Sequence, residues 1–213
     1  MFYWLYERML LLQIQLLPRH ICFMLSGADL AADPGKCARV AEWCTEINAA
    51  LARSPLPAES GDRTAIKSLT FHVNHLSDEE IARCLPAIKK ISKMARLVLH
   101  YGDKEEVSGS GLAVVVAIGK SGREEITDCI KKLAKNGVSP EEIDEKTLES
   151  CLTFRYDPDI VVKTGGDHLT DFLIWQSVYS ELFFSDVNWK FFRRVDLLRV
   201  LRDYQARIRR FGK

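Results

Sequence analysis

Residues 112–118 form an almost unbroken aliphatic run between Gly111 and Gly119. A run that short and apolar predicts a strand buried on both faces, the kind found inside a parallel sheet, rather than a helix. Residues 20–25 repeat the pattern and stop at Ser26-Gly27, and residues 160–162 repeat it before Lys163-Thr164-Gly165-Gly166. Residues 65–73 and 96–100 add two more strands, and the segment 102–111 between the third and fourth strands reads as a polar turn.

Helices are expected between these strands. One spans about 35–51. A second opens at the capping box of Ser77 and Glu80 and runs towards Met94. A third follows the turn 119–122 and ends near Asn136-Gly137, and Ser139-Pro140-Glu141-Glu142 has the cap, first-turn proline and acidic first turn of a fourth. The segment 195–208 carries Leu197, Leu198, Leu201 and Tyr204 on one apolar face. Residues 53–62, with Pro55, Pro57 and Gly61, read as a loop too short to link domains. This order predicts an α/β fold with a mostly parallel central sheet, helices on both faces and a single domain over 1–213. Ligands then bind beyond the carboxyl ends of the strands, where the turns at Ser26-Gly27 and Thr164-Gly165-Gly166 lie.

Charge narrows the function classes. Thirty Lys and Arg against 29 Asp and Glu leave a net +1. No global field therefore points to nucleic acid, and any anion site is local. The six scattered cysteines form no CxxC pair and indicate a reducing, cytoplasmic setting. In residues 1–17, Glu7 and Arg8 interrupt the apolar side chains and Pro18 ends them. The stretch 9–17 is too short to cross a bilayer, which leaves a docked amphipathic helix, or alternatively a peripheral membrane-surface segment.

Each candidate site has a plain structural reading beside the functional one. Lys163-Thr164-Gly165-Gly166-Asp167-His168 offers backbone N–H groups and a cation to an anion such as a diphosphate, or is a strand-to-helix turn that uses glycines for positive φ. His72 and His75 have no third ligand near them in sequence and make a poor metal site. Glu181, in an apolar stretch, needs a metal or a salt bridge, and its chemistry alone leaves both open. Arg207, Arg209 and Arg210 form either a solvated helix end or a phosphate clamp that reaches another subunit.

Taken together, Leu17-Pro18-Arg19-His20-Ile21, Asp159-Ile160-Val161-Val162-Lys163-Thr164-Gly165-Gly166, Phe172-Leu173-Ile174-Trp175-Gln176, the stretch from Tyr179 to Trp189, and the ending from Asp203-Tyr204-Gln205 to Arg210-Phe211-Gly212 resemble the cis-prenyltransferases. The resemblance implies a dimerising parallel-sheet fold that condenses isopentenyl diphosphate with an allylic diphosphate, using Mg2+. It also implies substrate-binding roles for Lys163, Thr164, Gly165, Gly166, Thr170, Arg210, Phe211 and Gly212, and a metal-associated role for Glu181.

At the turn after the first strand the chain departs from that family. The family's Asp-Gly-Asn, followed by a phosphate-binding arginine, reads Ser26-Gly27-Ala28-Asp29-Leu30 here, so the family's aspartate position is Ser26 and the basic positions are acidic or apolar. Phe71-His72-Val73-Asn74-His75 replaces a Phe-Ser-Thr-Glu-Asn stretch, Lys163 replaces an arginine, and the loop at Leu169-Thr170-Asp171 lacks another. The chain therefore resembles most the non-catalytic, Nogo-B receptor type of subunit. Such a subunit pairs with a catalytic homologue, as a heterodimer or heterotetramer, and donates its Arg-x-Gly tail while the partner supplies most of the Mg2+ site. The alternatives are a divergent homodimeric synthase that uses Asp29 or Asp33, and a non-enzymatic prenyl-lipid-binding protein.

Overall fold

The structure is a computed structural model and describes residues 2–53, 65–102, 104–119, 121–152, 157–165 and 173–207. Its strands are β1 (His20–Leu25), β2 (Ser68–Val73), β3 (Arg96–Tyr101), β4 (Lys104–Ser108), β5 (Ala113–Ile118), β6 (Ile160–Thr164) and β7 (Glu181–Ser185). Its helices are α1 (Phe2–Gln13), α2 (Gly27–Ala32), α3 (Lys36–Ala52), α4 (Asp78–Ile88), α5 (Gly122–Lys135), α6 (Glu145–Cys151) and α7 (Arg194–Ala206).

Among the described residues the strands form one sheet in the order β4-β3-β5-β2-β1-β6-β7. Every pairing is parallel except that of β3 with β4. The mostly parallel α/β architecture expected from the apolar runs is therefore present, and β1, buried at all six positions, lies between β2 and β6. The chain builds outward from β1 on one side and returns to its other side with β6, so the strand order reverses between β1 and β6. Ligand crevices of open parallel sheets form at such a reversal, beyond the carboxyl ends.

Side-chain alternation divides the sheet residues between two faces. Ile21, Phe23 and Leu25 share the larger core with Leu69, Phe71 and Val73, with Val114 and Val116, and with residues of α1, α3, α4 and α7. Phe23 anchors it, stacked on Phe71 with ring centroids 5.5 Å apart and in edge contact with Phe192 at 5.8 Å. The opposite face carries a smaller cluster of Cys22, Met24, Ala117, Val161 and Leu173, and a third cluster joins Cys129 and Leu133 of α5 to Leu152. Burial pushes the Cys22 thiol up to about 12 and raises those of Cys37 and Cys44 as well, so these cysteines act as small apolar core residues.

Several expectations need correction. The polar segment 102–111 contains β4, an edge strand whose Lys104, Glu105 and Glu106 conceal its strand character. Charges on an edge strand also discourage pairing with other chains. The turn after β1 is itself helical, as α2, and the helix expected at 35–51 starts at Lys36. The helix opened by Ser77 and Glu80 forms with its capping box intact, but passes into a 3-10 turn at Lys89–Lys93. Ser139-Pro140-Glu141-Glu142 gives only a 3-10 turn, and α6 starts later, capped by Asp144. β7 was not anticipated as a strand. Most of the loop expected at 53–62 falls outside the described residues.

Candidate functional site

The turns after β1 and β6 meet at the strand-order reversal. Met24 pairs with Lys163, so Ser26, two residues on, stands level with Gly165. Sequence reasoning expected these two turns to share one edge, and the register brings them there.

The β1 turn is closed by its own side chains. Ser26 is the N-cap of α2, and its Oγ accepts the Asp29 N–H at 3.1 Å. The Asp29 carboxylate accepts in return from the Ser26 N–H at 3.0 Å and from the Ser26 hydroxyl at 2.6 Å. Serine followed three residues later by an acidic residue is a capping-box pattern, so this arrangement was open to sequence reasoning and was missed. Gly27 is required by close approach: a Cβ there would lie 2.3 Å from the His75 carbonyl oxygen. The 74–75 segment is pinned against this turn, with the Asn74 N–H donating to the Leu25 carbonyl at 3.1 Å.

The β6 turn has a different character. Thr164 is buried, and among the described residues its hydroxyl has no hydrogen-bond partner. Gly165 adopts φ +72, and a Cβ there would come 2.5 Å from Asn188 Oδ1. Asn188 thus walls the turn from the segment after β7, a neighbour that no sequence spacing indicates. The Gly165 N–H donates to the Ser185 carbonyl at 3.0 Å. Lys163, half-buried, pairs with Met24 and Phe184 near the end of β6. Gly166, Thr170, Arg210, Phe211 and Gly212, the other expected substrate contacts, lie outside the described residues.

Glu181 does not join this group. It pairs with Ile160 at the start of β7, so it lies at the amino edge of the sheet, opposite Ser26 and Gly165. Its carboxylate accepts from Arg207 at 3.3 Å, and Arg207 also donates to the Leu182 carbonyl at 2.8 Å and bridges Asp203 at 2.7 Å. Of the two readings left open for Glu181, the structure displays the salt bridge. At the same edge the Asp159 carboxylate accepts the backbone N–H groups of Arg19 and His20. Burial lowers His20 to about 4 against the opposing pull of Asp159, and its ring pairs with Thr70 Oγ1 at 2.9 Å.

Among the described residues the donor set fits Mg2+ poorly. That ion needs hard oxygen ligands in near-octahedral array. Yet Asp29 is bound to Ser26, Asp33 pairs with Arg39 and with Lys36 at 3.7 Å, and Glu181 is at the far edge. No group of three or more His, Cys, Asp or Glu able to hold a metal occurs among the described residues, which include His72 and His75.

Residues 62–212 match the family model described as undecaprenyl diphosphate synthase. The isoprenyl transferase of Thermus thermophilus is 32% identical, with 99% of this chain and 95% of that protein covered. That match extends over 268 positions against a chain of 213, so the relative has segments that this chain lacks. The (2Z,6E)-farnesyl diphosphate synthase of Mycolicibacterium smegmatis is 31% identical over 92% of this chain and 89% of its own. The geranylgeranyl-diphosphate-specific tritrans,polycis-undecaprenyl-diphosphate synthase of Methanocaldococcus jannaschii reaches 39%, over 64% of this chain and only 54% of its own length. The fold is similar to that of lavandulyl diphosphate synthase from Lavandula x intermedia, with TM-score 0.62 at 20% identity over 92% of this chain and 98% of that one. With the family model matched over residues 62–212 and a relative 32% identical over 99% of this chain, the protein belongs to the cis-prenyltransferase family.

Proposed function

We propose that this chain serves the condensation of isopentenyl diphosphate with an allylic diphosphate to give a longer polyprenyl diphosphate. The observation that carries this reading is the end-to-end match to an isoprenyl transferase, 99% of one chain against 95% of the other. In this reading the diphosphate lies over the crevice between β1 and β6, with Lys163 supplying charge and Thr164 supplying its hydroxyl as a donor. Gly166, Thr170 and Arg210 to Gly212 are assigned to the same substrate. The relatives quoted above are all named as transferases or synthases, which favours a chain active by itself.

One observation favours a second reading, in which the chain is the accessory subunit of a heteromeric enzyme. The β1 turn offers a serine whose hydroxyl is bound to Asp29, in place of a free carboxylate, and loss of one preorganised electrostatic group lowers a rate by about 10² to 10³. Here the partner holds the metal and the diphosphate, and the Arg210-Phe211-Gly212 tail completes the partner's site.

The two readings separate in one assay. The purified chain is incubated with labelled isopentenyl diphosphate, Mg2+ and farnesyl or geranylgeranyl diphosphate, alone and mixed with a homologue that keeps the aspartate. Product from the chain alone establishes the self-sufficient synthase. Product only on mixing, lost with Arg210→Ala or deletion of the last four residues, establishes the accessory subunit. No product in any mixture, with polyprenyl diphosphate still bound tightly, rejects both in favour of a prenyl-lipid-binding protein.

A further inference from the structure

The outward face of α1 is as apolar as its inward face. Leu10, with Ile14 and Leu17 just beyond the helix, turns into the core and is buried. On the other side Trp4 is 64% exposed, Leu5 61%, Met9 45% and Leu12 61%. At 100° per residue these four positions fall within one arc, and Arg8 is the one charged residue inside it. α5 shows what an ordinary outer face looks like in this chain, with exposed Lys131, Lys132 and Lys135.

The charges around the arc are mainly arginines, of which Arg199 bridges Asp196 at 3.1 Å. Arg8 lies over the Trp4 ring at 5.6 Å, leaving its guanidinium at the rim of the apolar strip. Arg199 of α7 lies over the Tyr6 ring at 5.4 Å, and Arg199 with Arg202 lowers the Tyr6 hydroxyl below its ordinary range. Arg8 and Arg202 have no carboxylate partner among the described residues. The acidic groups nearby are engaged: Glu7 and Glu46 share Arg194 at 2.8 and 3.4 Å, Asp196 binds Arg199 at 3.1 Å and Asp203 binds Arg207 at 2.7 Å. A tryptophan and aliphatic strip fringed by arginines is the pattern of a helix that lies in the plane of an anionic lipid surface.

Size argues in the same direction. A helix of 12 residues is roughly 18 Å long. Its exposed strip measures on the order of a few hundred Å², short of the ~800 Å² per partner of a stable protein interface. No helix among the described residues is long and apolar enough to cross a membrane, so any lipid contact by α1 is peripheral.

We infer that the outward face of α1, with Arg8 and Arg202 beside it, docks this chain onto an anionic bilayer surface. The inference does not depend on prenyl transfer, and its test reads binding only. The full chain is sedimented with vesicles of phosphatidylcholine alone and with vesicles containing one-third phosphatidylglycerol. Partition onto the anionic vesicles is expected, weakening as salt rises. Leu5→Glu with Leu12→Glu reduces it by about tenfold or more, with the circular dichroism spectrum unchanged. If that pair misfolds, Met9→Gln with Leu12→Gln tests the same face more gently. A wild-type chain that stays in solution, or variants that bind as wild type, overturns the inference. So does a light-scattering dimer abolished by the same substitutions without vesicle binding, because a second copy then covers the face.

Discussion

The turns that leave β1 and β6 stand side by side at one edge of the sheet, yet they use their polar groups in opposite ways. At β1 a hydroxyl and a carboxylate are spent on each other and on the first turn of α2. At β6 a buried hydroxyl makes no hydrogen bond among the described residues, and a glycine holds a conformation that favours no other residue. One turn is engaged in holding the fold, whereas the other keeps a polar group uncommitted. Position in the fold therefore does not by itself decide which turn does chemistry.

The largest test of this contrast is Gly27→Ala. Its Cβ meets a backbone oxygen at 2.3 Å, which cannot rotate aside, so the 74–75 segment must shift. A loss of about 3 kcal/mol is expected in urea denaturation, and a loss below 0.5 kcal/mol would mean that the β1 turn is not pinned as described.

His20, at the opposite end of β1, supplies a control that depends on pH. Its folded value of about 4 lies below the ordinary 6.5, so between these values the unfolded chain takes up a proton that the folded chain refuses. The contribution is full above pH 6.5 and is lost as pH falls towards 4, reaching about 3 kcal/mol at most. Urea midpoints measured from pH 7.5 to 4 should fall less steeply in His20→Gln than in wild type. Equal slopes would remove His20 as the cause.

The smallest effects distinguish the two hydroxyls directly. Ser26→Ala removes a helix cap and strands Asp29, at about 1 kcal/mol, whereas Thr164→Val removes a hydroxyl with no bond to lose and changes stability by less than about 0.5 kcal/mol. Thermal melts of the two variants side by side would reverse the assignment of the turns if Thr164→Val proved the more damaging.

The buried strands were legible because β1, β5 and β6 have no solvent face, which leaves their sequences almost purely apolar. Edge strands escape that rule. β4 is mostly exposed and charged, and β7 carries an acidic first residue and an exposed Phe184, so neither shows a clear period. At the site, register alone explains why Ser26 and Gly165 were correctly joined: both follow apolar runs that pair in parallel. Glu181 could not be placed in the same way. Its partner Arg207 lies 26 residues on and reaches it only because α7 ends against the start of β7. Asp29 was legible as half of a capping box, but its charge drew attention to the ligand instead of to the backbone.

The central place of β1 also governs how the chain reaches this state. Ile21 pairs with Leu69 on one side and with Ile160 on the other, and the Asp159 carboxylate that receives the Arg19 N–H comes 140 residues later. During synthesis or refolding β1 can gain β2 early, but its second edge stays unpaired until the final third of the chain arrives. Closure of that long loop sets the pace of folding. Until it closes, an apolar strand edge is open to other chains, so crowding by partly folded copies is the chief hazard on the pathway.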